Sequence, residues 1–507
     1  MDNFKLKQLN VGFPDGESES QSELFNRLFF NANNIYEEFF ENRIKFMIIG
    51  NKGMGKTYFA RYIAQKNETY EVLSARNFLL AYLSNLDNFV DETSYKYALC
   101  KWFLLEQLSK QIAKLHPVKA KLFLGSPIYR IKKMLEEDNN IDPYKPIKRT
   151  LESGTEYETK GALGGSTGKD MNLSISGSDK KSKKKTVHIE EIRKIFYEKV
   201  ETMEKLLINA TSDKDDFVIF LDDLDEIDGY IGRDKGNNDI LINLIKCTKE
   251  LNASFNLKRK KIRIVLLMRD DILEKLQFCD PNLGKIKSSN GIELYWLVQN
   301  HTSPENHPLM KMIIHKAKAT CPALFDLSDA AVYSFLFPEQ IDNKDPLSYL
   351  LDNSFGRPRD FVAYLACVIK QNPYLPAFTA TALKDARVEY SGIFYDDLVN
   401  QGVFHKESEY IFQCYQLLSG LRKKSFYYSE IQQHFEQNKS RYPKIDNTKE
   451  CLEFLYSQGA IGNLWRVGNK NSNNWYSSWS YRKDSLANID FEKKISIHFA
   501  LRKKFSL

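Results

Sequence analysis

An eight-residue segment constrains this sequence more than any other feature, because it fits the pattern GxxxxGK[ST] at every fixed position. The segment is GNKGMGKT and spans residues 50–57. An apolar run, Phe46–Ile49, precedes it, and a helix-like stretch, Thr57–Gln65, follows it. A strand, a glycine-rich turn and a helix in this order form a loop whose backbone N–H groups face a phosphate chain. The segment therefore predicts an α/β unit that holds the phosphates of a nucleotide.

The roles of single residues in this loop follow from the chemistry of phosphate binding. The glycines let the backbone curl, and the N-terminus of the helix adds a partial positive charge. The Lys56 ammonium reaches the β- and γ-phosphates as a catalytic group, and the Thr57 hydroxyl is a predicted Mg²⁺ ligand. The residues expected to contact the nucleotide are Gly50, Asn51, Lys52, Gly53, Met54, Gly55, Lys56, Thr57 and Tyr58.

An acidic cluster follows a second apolar run, Phe217–Leu221. A carboxylate at the carboxyl end of a strand beside the loop strand supplies the metal side of such a site. We therefore predict that Asp222 holds Mg²⁺, through water, and that a further carboxylate orients or deprotonates the attacking water. Asp223, Asp225 and Glu226 are the candidates for this catalytic role. The alternative is a solvated acidic turn.

Arg269 follows a third buried strand, Ile262–Met268. Open parallel sheets bind ligands at the carboxyl edge of their strands, so Arg269 is a candidate to sense the γ-phosphate. Asp270 and Asp271 come directly after it. A structural ion pair with one of these carboxylates is the alternative interpretation.

A second arginine-containing segment, GRPRD at 356–360, opens a helical run over Phe361–Lys370. A proline near the start of a helix is structurally ordinary, and a surface salt bridge is one explanation of the charges. The other explanation is that Arg357 and Arg359 reach over the nucleotide from a separate helical domain.

Composition excludes several classes of protein. The chain has 507 residues, 42% hydrophobic and 27% charged, which excludes a mainly disordered or fibrous chain and predicts two or three domains. The net charge of +7 permits nucleic-acid contact without arguing for it. The seven cysteines form no CxxC pair, and no apolar run approaches the roughly 20 residues of a spanning helix. We therefore expect a cytoplasmic protein that has no membrane partner.

The order of predicted elements divides the chain into three domains. Strands alternate with helices over 1–300, which predicts a parallel sheet with helices on both faces. This domain holds a helical insertion at about 75–150 and a Gly/Ser/Lys-rich flexible loop at about 153–186. A helical domain is predicted over 301–404 and a third domain over 405–507.

The third domain has the pattern of a winged helix. Tyr428–Phe435 and Thr448–Gln458 are predicted helices, and Gly459–Tyr481 is a predicted β wing. DNA binding is favoured by basic and aromatic residues, namely Lys423, Lys424, Arg441, Lys444, Trp465, Trp475 and Trp479. However, the second helix carries two glutamates and one lysine, a poor face for phosphates. A protein-docking or autoinhibitory role is therefore the preferred interpretation.

These motifs together resemble AAA+-related P-loop ATPases of the signal-transduction (STAND) and origin-recognition (ORC-like) type. More narrowly, the chain resembles a bacterial family that is often found in defence-associated gene neighbourhoods. The resemblance rests on GNKGMGKT at 50–57, FLDDLDE at 220–226, LLMRDDI at 266–272, GRPRD at 356–360 and IHFALRK at 497–503. The stretch GFPDGESESQS at 12–22 also fits the segment that this family carries before its loop.

The resemblance implies ATP and Mg²⁺ as cofactors and an ATP-driven switch built from a nucleotide domain, a helical lid and a winged helix. The DGLDE signature of the NACHT branch carries over to Asp222 as the metal ligand and to Asp225 and Glu226 as catalytic acids. Asp223 stands where that signature has glycine, which leaves the identity of the base open.

The resemblance also assigns the arginines. Arg269 falls where the group has its sensor-1 arginine, and Gly356 and Pro358 fit the GxP element that touches the nucleotide. Either Arg357 or Arg359 takes the place of a sensor-2 arginine.

The resulting hypothesis is a regulatory ATPase that forms homo-oligomers or controls a separate effector protein, in anti-phage defence. An ATP-dependent DNA-binding or loading factor of the origin-recognition type is the alternative, with DNA as a partner. A scaffold that holds nucleotide without hydrolysis is disfavoured, because the acidic cluster and Lys56 are present.

Overall fold

The structure is a computed structural model of the chain. It describes residues 4–79, 93–138, 196–224, 235–298, 302–402, 406–466, 475–483, 486 and 488–507. The chain forms two compact units. The first unit comprises Met1–Phe40, Gly50–Tyr62 and Glu293–Leu507, and the second unit comprises Glu41–Ile49 and Ile63–Ile292.

The strands and helices alternate in the first half of the chain, as predicted. The strands are β1 (Met47–Ile49), β2 (Tyr70–Ser74), β3 (Asp216–Asp222), β4 (Lys261–Met268), β5 (Gly291–Glu293), β6 (Ser425–Phe426), β7 (Ile461–Arg466), β8 (Trp475–Ser478) and β9 (Lys494–Ile497). The helices up to residue 300 are α1 (Gly16–Ser20), α2 (Phe25–Leu28), α3 (Ile35–Glu41), α4 (Lys56–Gln65), α5 (Thr93–Leu115), α6 (Pro117–Leu122), α7 (Pro127–Asp138), α8 (196–210), α9 (Lys235–Leu257), α10 (Asp270–Cys279) and α11 (Asn282–Asn290).

Helices predominate in the remaining part of the chain. They are α12 (Pro308–Thr320), α13 (Asp329–Leu336), α14 (Pro346–Asp352), α15 (Pro358–Gln371), α16 (Ala380–Gly402), α17 (Ser408–Gly420), α18 (Tyr428–Gln437), α19 (Thr448–Ser457) and α20 (Phe499–Arg502).

The second unit contains the predicted parallel sheet. The strand order is β2-β3-β4-β1-β5, and parallel pairings join β2 to β3, β3 to β4 and β4 to β1. Ile49 lies opposite Met268, and Leu221 lies opposite Leu266, so three strands end at one edge. The α/β class with a parallel sheet is thereby confirmed.

The sheet is buried because helices of the second unit pack against it. Val218, Ile219 and Phe220 of β3 are fully buried, as a parallel strand covered by helices requires. Asn252 of α9 binds the backbone of Ile264 in β4 with both amide atoms, at 2.9 Å each. This amide satisfies a strand N–H and C=O inside the core, where unpaired polar groups are costly.

The first unit contains α12–α20 and a four-stranded antiparallel sheet. The order of this C-terminal sheet is β6-β9-β7-β8. The two helices predicted in this region are α18 and α19, and the predicted wing contains β7 and β8. The winged-helix assignment and the three domain boundaries stay predictions.

Some expectations differ from the structure or fall outside it. The apolar run Ile292–Trp296 predicts a fourth strand, and the structure has a shorter one, β5, which ends at Glu293. The flexible loop expected at about 153–186 lies outside the described residues. The helical insertion at about 75–150 is described only up to residue 79 and over 93–138.

All seven cysteines are free thiols. Six are buried, and Cys279 on α10 is exposed. Within the described ranges, none of the helices combines the length and the apolar character that crossing a membrane requires.

A buried ion pair connects three distant segments of the first unit. Lys316 on α12 donates to Glu19 on α1, and both side chains are almost fully buried. The Tyr58 hydroxyl on α4 donates to the same carboxyl at 2.9 Å, and the Phe13 N–H donates to its second oxygen at 2.8 Å. Burial outweighs the Glu19 charge and lowers the pKa of Lys316. Gly12 has a φ of 91°, a conformation that favours glycine, and a Cβ there would lie 2.3 Å from Lys316 Nζ and 2.5 Å from Glu19 Oε2.

This ion pair gives a prediction about stability. Glu19→Gln leaves the Lys316 charge buried without its counter-charge, so we expect the stability of the protein to fall by about 3 kcal/mol. The double variant Glu19→Gln/Lys316→Met removes both charges and should be less destabilised than the sum of the single variants. Thermal and urea unfolding measure the effect.

Lys318→Met, on the same helix, is the matched control. Lys318 forms an exposed pair with Asp329, so its loss should change stability by less than about 1 kcal/mol. Additive effects at Glu19 and Lys316 would contradict the prediction.

Candidate functional site

The predicted phosphate-binding loop lies in the first unit and opens α4. Gly53 and Gly55 have positive φ angles of 84° and 95°, a conformation that favours glycine. Lys56 Nζ donates to the Gly50 carbonyl at 2.7 Å and approaches the Asn51 carbonyl at 3.4 Å. The lysine head group is therefore held at the start of its own loop.

The two positive-φ glycines have different surroundings. A Cβ at Gly55 would meet no heavy atom within 4 Å, so this side of the loop is open. A Cβ at Gly53 would lie 3.1 Å from Arg359 Cβ and 3.5 Å from Arg357 Cδ. The open side leaves room for a phosphate chain, whereas the Gly53 side is covered by the GRPRD segment (356–360).

The chain after β5 supports the same loop. Trp296 Nε1 donates to the Met54 carbonyl at 3.0 Å, and both residues are buried. A Cβ at Gly50 would lie 3.2 Å from Leu294. The irregular segment after β5 thus contacts the loop through this indole and Leu294.

Arg357 anchors the GRPRD segment to the loop. It forms a bidentate pair with Asp360, with Nε and Nη2 distances of 3.0 Å and 2.7 Å. Its Nη2 also donates to Asp397 at 3.0 Å, and its Nη1 donates to the Lys52 carbonyl at 3.1 Å. Burial alone lowers the pKa of Arg357, but the two carboxylates outweigh burial and raise it.

Arg359 has a more open position than Arg357. Its side chain is 28% exposed, and its Nε donates to the Pro14 carbonyl at 3.1 Å. Its Nη1 lies 3.7 Å from Asp397 Oδ1. Of the two arginines that the sequence left open, Arg357 is buried in a hydrogen-bonded network, and Arg359 keeps an accessible charge beside the loop.

Gly356 and Pro358 shape the start of α15. Gly356 has a φ of 65°, and a Cβ there would lie 2.2 Å from Leu297 Cδ2. Both the backbone conformation and the lack of space therefore favour glycine at this position. Pro358 occupies the first turn of α15, where its missing N–H costs nothing. Asp360 in the same turn accepts the Phe355 N–H at 2.8 Å.

Thr57 and Tyr58 lie in the first turn of α4. The Tyr58 ring packs edge-on against Phe25 and stacks on Phe29. Burial and the Glu19 carboxylate raise the pKa of Tyr58, so its hydroxyl stays protonated. Tyr58 thus uses its hydroxyl for Glu19 and its ring for packing.

In the second unit, the acidic cluster begins where β3 ends. Asp222 is the last residue of β3, and its Oδ1 accepts the Asp223 N–H at 2.9 Å. Asp223 has a φ of 59°, the left-handed region. Asp223 therefore adopts the conformation that glycine favours, at the position where the DGLDE signature has glycine. Asp225 and Glu226 lie outside the described residues.

Arg269 is the residue before the first turn of α10, at the same edge of the sheet as Asp222. Its guanidinium binds Asp271 through Nε at 3.0 Å and Nη2 at 2.5 Å, and its side chain is buried. The neighbouring Asp270 instead accepts a hydrogen bond from Lys287 Nζ. The ion pair with Asp271 is the structural alternative that the sequence had offered, and the sensor role of Arg269 stays a prediction.

Sequence reasoning missed Asp397 of α16, which lies within 3.8 Å of three cations of this site. Its neighbours are Arg357, Arg359 and Lys52. One signal was present: Asp397 follows Phe394 by three residues and Tyr390 by seven, so it falls on the buried face of a helix.

Comparisons with known proteins give a family for one segment and a distant structural likeness. Residues 307–399 match the family described as the FunZ-associated C-terminal helical domain. A search of curated protein sequences found no match. The solved structure of the Walker-type ATPase PABY2304 of Pyrococcus abyssi is similar over 92% of this chain and 95% of its own, with 11% identity and a TM-score of 0.35. A likeness at that score carries no argument about function.

The two GRPRD arginines give a paired prediction. Arg357→Gln leaves two carboxylates without their buried counter-charge, so we expect a loss of about 3 kcal/mol of stability. Arg359→Gln changes a partly exposed side chain and should cost less than about 1 kcal/mol. Thermal unfolding of both variants compares them, and equal losses would contradict the different roles assigned here.

The left-handed conformation of Asp223 gives a second prediction. Asp223→Gly should preserve or slightly raise stability, whereas Asp223→Val should cost about 1–2 kcal/mol, because a β-branched residue is strained there. Thermal unfolding of the two variants and the wild type measures the difference. A glycine variant that is clearly less stable than the wild type would contradict this account of position 223.

Proposed function

We propose that the chain is an ATPase that binds and hydrolyses ATP with Mg²⁺ and uses nucleotide binding to switch the arrangement of its helices. The main observation in support of this proposal is that the GRPRD segment packs on the phosphate-binding loop, where Arg357 Nη1 donates to the Lys52 carbonyl at 3.1 Å. A ligand that favours one arrangement of loop and segment shifts the population towards that arrangement.

A chain of contacts in the first unit leads from this segment to the C-terminal residues. The Arg357 guanidinium lies 4.8 Å from the centre of the Phe355 ring. The same ring lies 4.7 Å from Tyr481 and 5.2 Å from His498. Burial lowers the pKa of His498 to about 3, so this contact is uncharged and apolar at neutral pH. A shift of the GRPRD segment would therefore reach Tyr481 and His498, which follow β8 and β9 of the C-terminal sheet.

The residues of the loop suit a triphosphate. Positive-φ glycines, an open side at Gly55 and the Lys56 ammonium are what a phosphate cradle requires. Bound Mg²⁺ neutralises charge on the β- and γ-phosphates. Thr57 and Asp222 stay the proposed metal ligands, and Asp223, Asp225 and Glu226 stay the candidates for the carboxylate that orients water. Arg269 stays the proposed γ-phosphate sensor, and Arg357 or Arg359 stays the proposed sensor-2 arginine, of which Arg359 has the more accessible charge.

The finer identity rests on the order of the motifs. We place the chain with STAND and origin-recognition ATPases, with 301–404 as a helical lid and 405–507 as a winged helix. The switch would control homo-oligomerisation or a separate effector protein, and anti-phage defence is its proposed setting.

A DNA-binding or loading factor is the second candidate, and one surface favours it. Trp475 and Tyr476 of β8 are about half exposed. Arg466 lies 4.5 Å from the centre of the Trp475 ring, and Lys493 lies 4.1 Å from that of Trp465. Aromatic faces with adjacent cations suit stacked bases and phosphates.

Phosphate release and light scattering after size-exclusion chromatography test the switch. We expect ATP, but not ADP, to change the assembly state of the wild type. Lys56→Ala should abolish this change and lower turnover roughly a hundredfold, the scale of losing one charge-stabilising donor. Glu226→Gln should keep the ATP-induced assembly and lose turnover, if Glu226 is the base.

The same measurements with DNA separate the two candidates. DNA-stimulated turnover, with no ATP effect in the absence of DNA, would favour the loading factor and contradict the switch. The slope of the DNA-binding constant against salt concentration, both on logarithmic scales, then gives the number of phosphate contacts. Wild-type protein that neither binds nor hydrolyses ATP would overturn both proposals.

A further inference from the structure

Asp397 on α16 joins three cations to one carboxylate. Its Oδ2 accepts from Arg357 Nη2 at 3.0 Å and from Gln401 Nε2 at 2.7 Å. Its Oδ1 lies 3.8 Å from Lys52 Nζ and 3.7 Å from Arg359 Nη1. The carboxylate is 19% exposed and thus largely withdrawn from water.

The three cations depend on Asp397 to different degrees. Asp360 already holds Arg357 through two hydrogen bonds, so Arg357 has a counter-charge without Asp397. Lys52 and Arg359 are 30% and 28% exposed and approach Asp397 at ion-pair distance only. Asp397 thus binds Arg357 most strongly, and its pairings with Lys52 and Arg359 are the longer and more exposed ones, which are weak and exchangeable.

Asp397 is an anion at neutral pH. Burial raises its pKa, but Arg357, Lys52 and Arg359 outweigh burial and hold the pKa below its usual range. Lys52 belongs to the phosphate-binding loop, and Arg359 covers the Gly53 side of that loop. A carboxylate thus occupies the cations that an incoming phosphate chain would attract.

We propose that Asp397 competes with the phosphates of the nucleotide for Lys52 and Arg359, so that phosphate binding at the loop releases these side chains from α16. The inference rests on the proposed function for its premise that the loop binds nucleotide. ATP carries one phosphate more than ADP and competes more strongly. Asp397 thereby determines how tightly the loop binds and how well it separates ATP from ADP.

The release acts on a helix with further partners. On α16, Phe394 lies 5.0 Å from His498 and 4.7 Å from Phe355, measured between ring centres. Tyr395 lies 5.2 Å from Tyr415 of α17. An altered pairing at Asp397 is therefore transmitted along α16 to the C-terminal part of the first unit.

The test is the dissociation constant for a Mg²⁺-bound, non-hydrolysable ATP analogue and for MgADP. Asp397→Asn removes the competing charge while keeping the side-chain size. We expect it to bind the ATP analogue roughly fivefold more tightly, the equivalent of about one kcal/mol for an ion pair of this exposure. Asp397→Glu keeps the charge and should stay within about twofold of the wild type.

Two controls separate competition from a structural effect. Asp396→Asn changes the exposed neighbour on the same helix and should leave affinity unchanged. In the Lys52→Gln/Arg359→Gln background, which binds more weakly, Asp397→Asn should no longer tighten binding. Asp397→Ser repeats the test if the asparagine variant does not fold, and thermal unfolding verifies each protein.

The outcomes distinguish the two levels of the proposal. Weaker or unchanged binding by folded Asp397→Asn, or equal tightening in the Lys52→Gln/Arg359→Gln background, would overturn the competition while leaving nucleotide binding intact. Wild-type protein that binds neither nucleotide would overturn the proposed function and this inference together.

Discussion

The position of the phosphate-binding loop in the first unit depends on the hydrogen bonds of the Arg357 guanidinium. This guanidinium binds the Lys52 carbonyl in the loop, Asp360 at the start of α15 and Asp397 on α16. Asp360 is a local partner, but Lys52 and Asp397 lie 305 and 40 positions from Arg357, so no local propensity brings these two to it. Because a guanidinium has five donors in a fixed plane, it can join three segments in one geometry, which a lysine could not. The loop is thus positioned by the helical part of the chain as well as by its own glycines.

Buried charges at this site also explain how the loop can respond to a ligand. An apolar contact between loop and helix would be indifferent to phosphate, since its energy depends on buried area and not on charge. A carboxylate held by cations is sensitive to any anion that enters, and the sensitivity is greatest where water is partly excluded. Lys52, Arg359 and Asp397 meet both conditions, because they are charged and only partly exposed.

The sequence predicted those features that short-range rules govern. The loop, the parallel sheet and the first turn of α15 follow from residue spacing, and their observed bounds lie within a few residues of the predicted ones. Position 223 shows the limit of such rules. The resemblance indicated glycine there, whereas the chain has an aspartate. The backbone angle explains this difference, because Asp223 adopts the left-handed conformation, which Asp tolerates better than most side chains.

Long-range pairing could not be predicted in the same way. Glu19 and Lys316 lie 297 positions apart, and Arg357 and Lys52 lie 305 apart. One sequence contains many acids and bases, and nothing in its periodicity selects which of them meet. What the pattern does show is a charged residue on an otherwise apolar helix face, as at Lys316 on α12 and Asp397 on α16. Such a residue must find a counter-charge, because an unpaired charge cannot remain buried. Both residues therefore depend on the charge of their partners, which is why the proposed response to a ligand of the loop is assigned to Asp397.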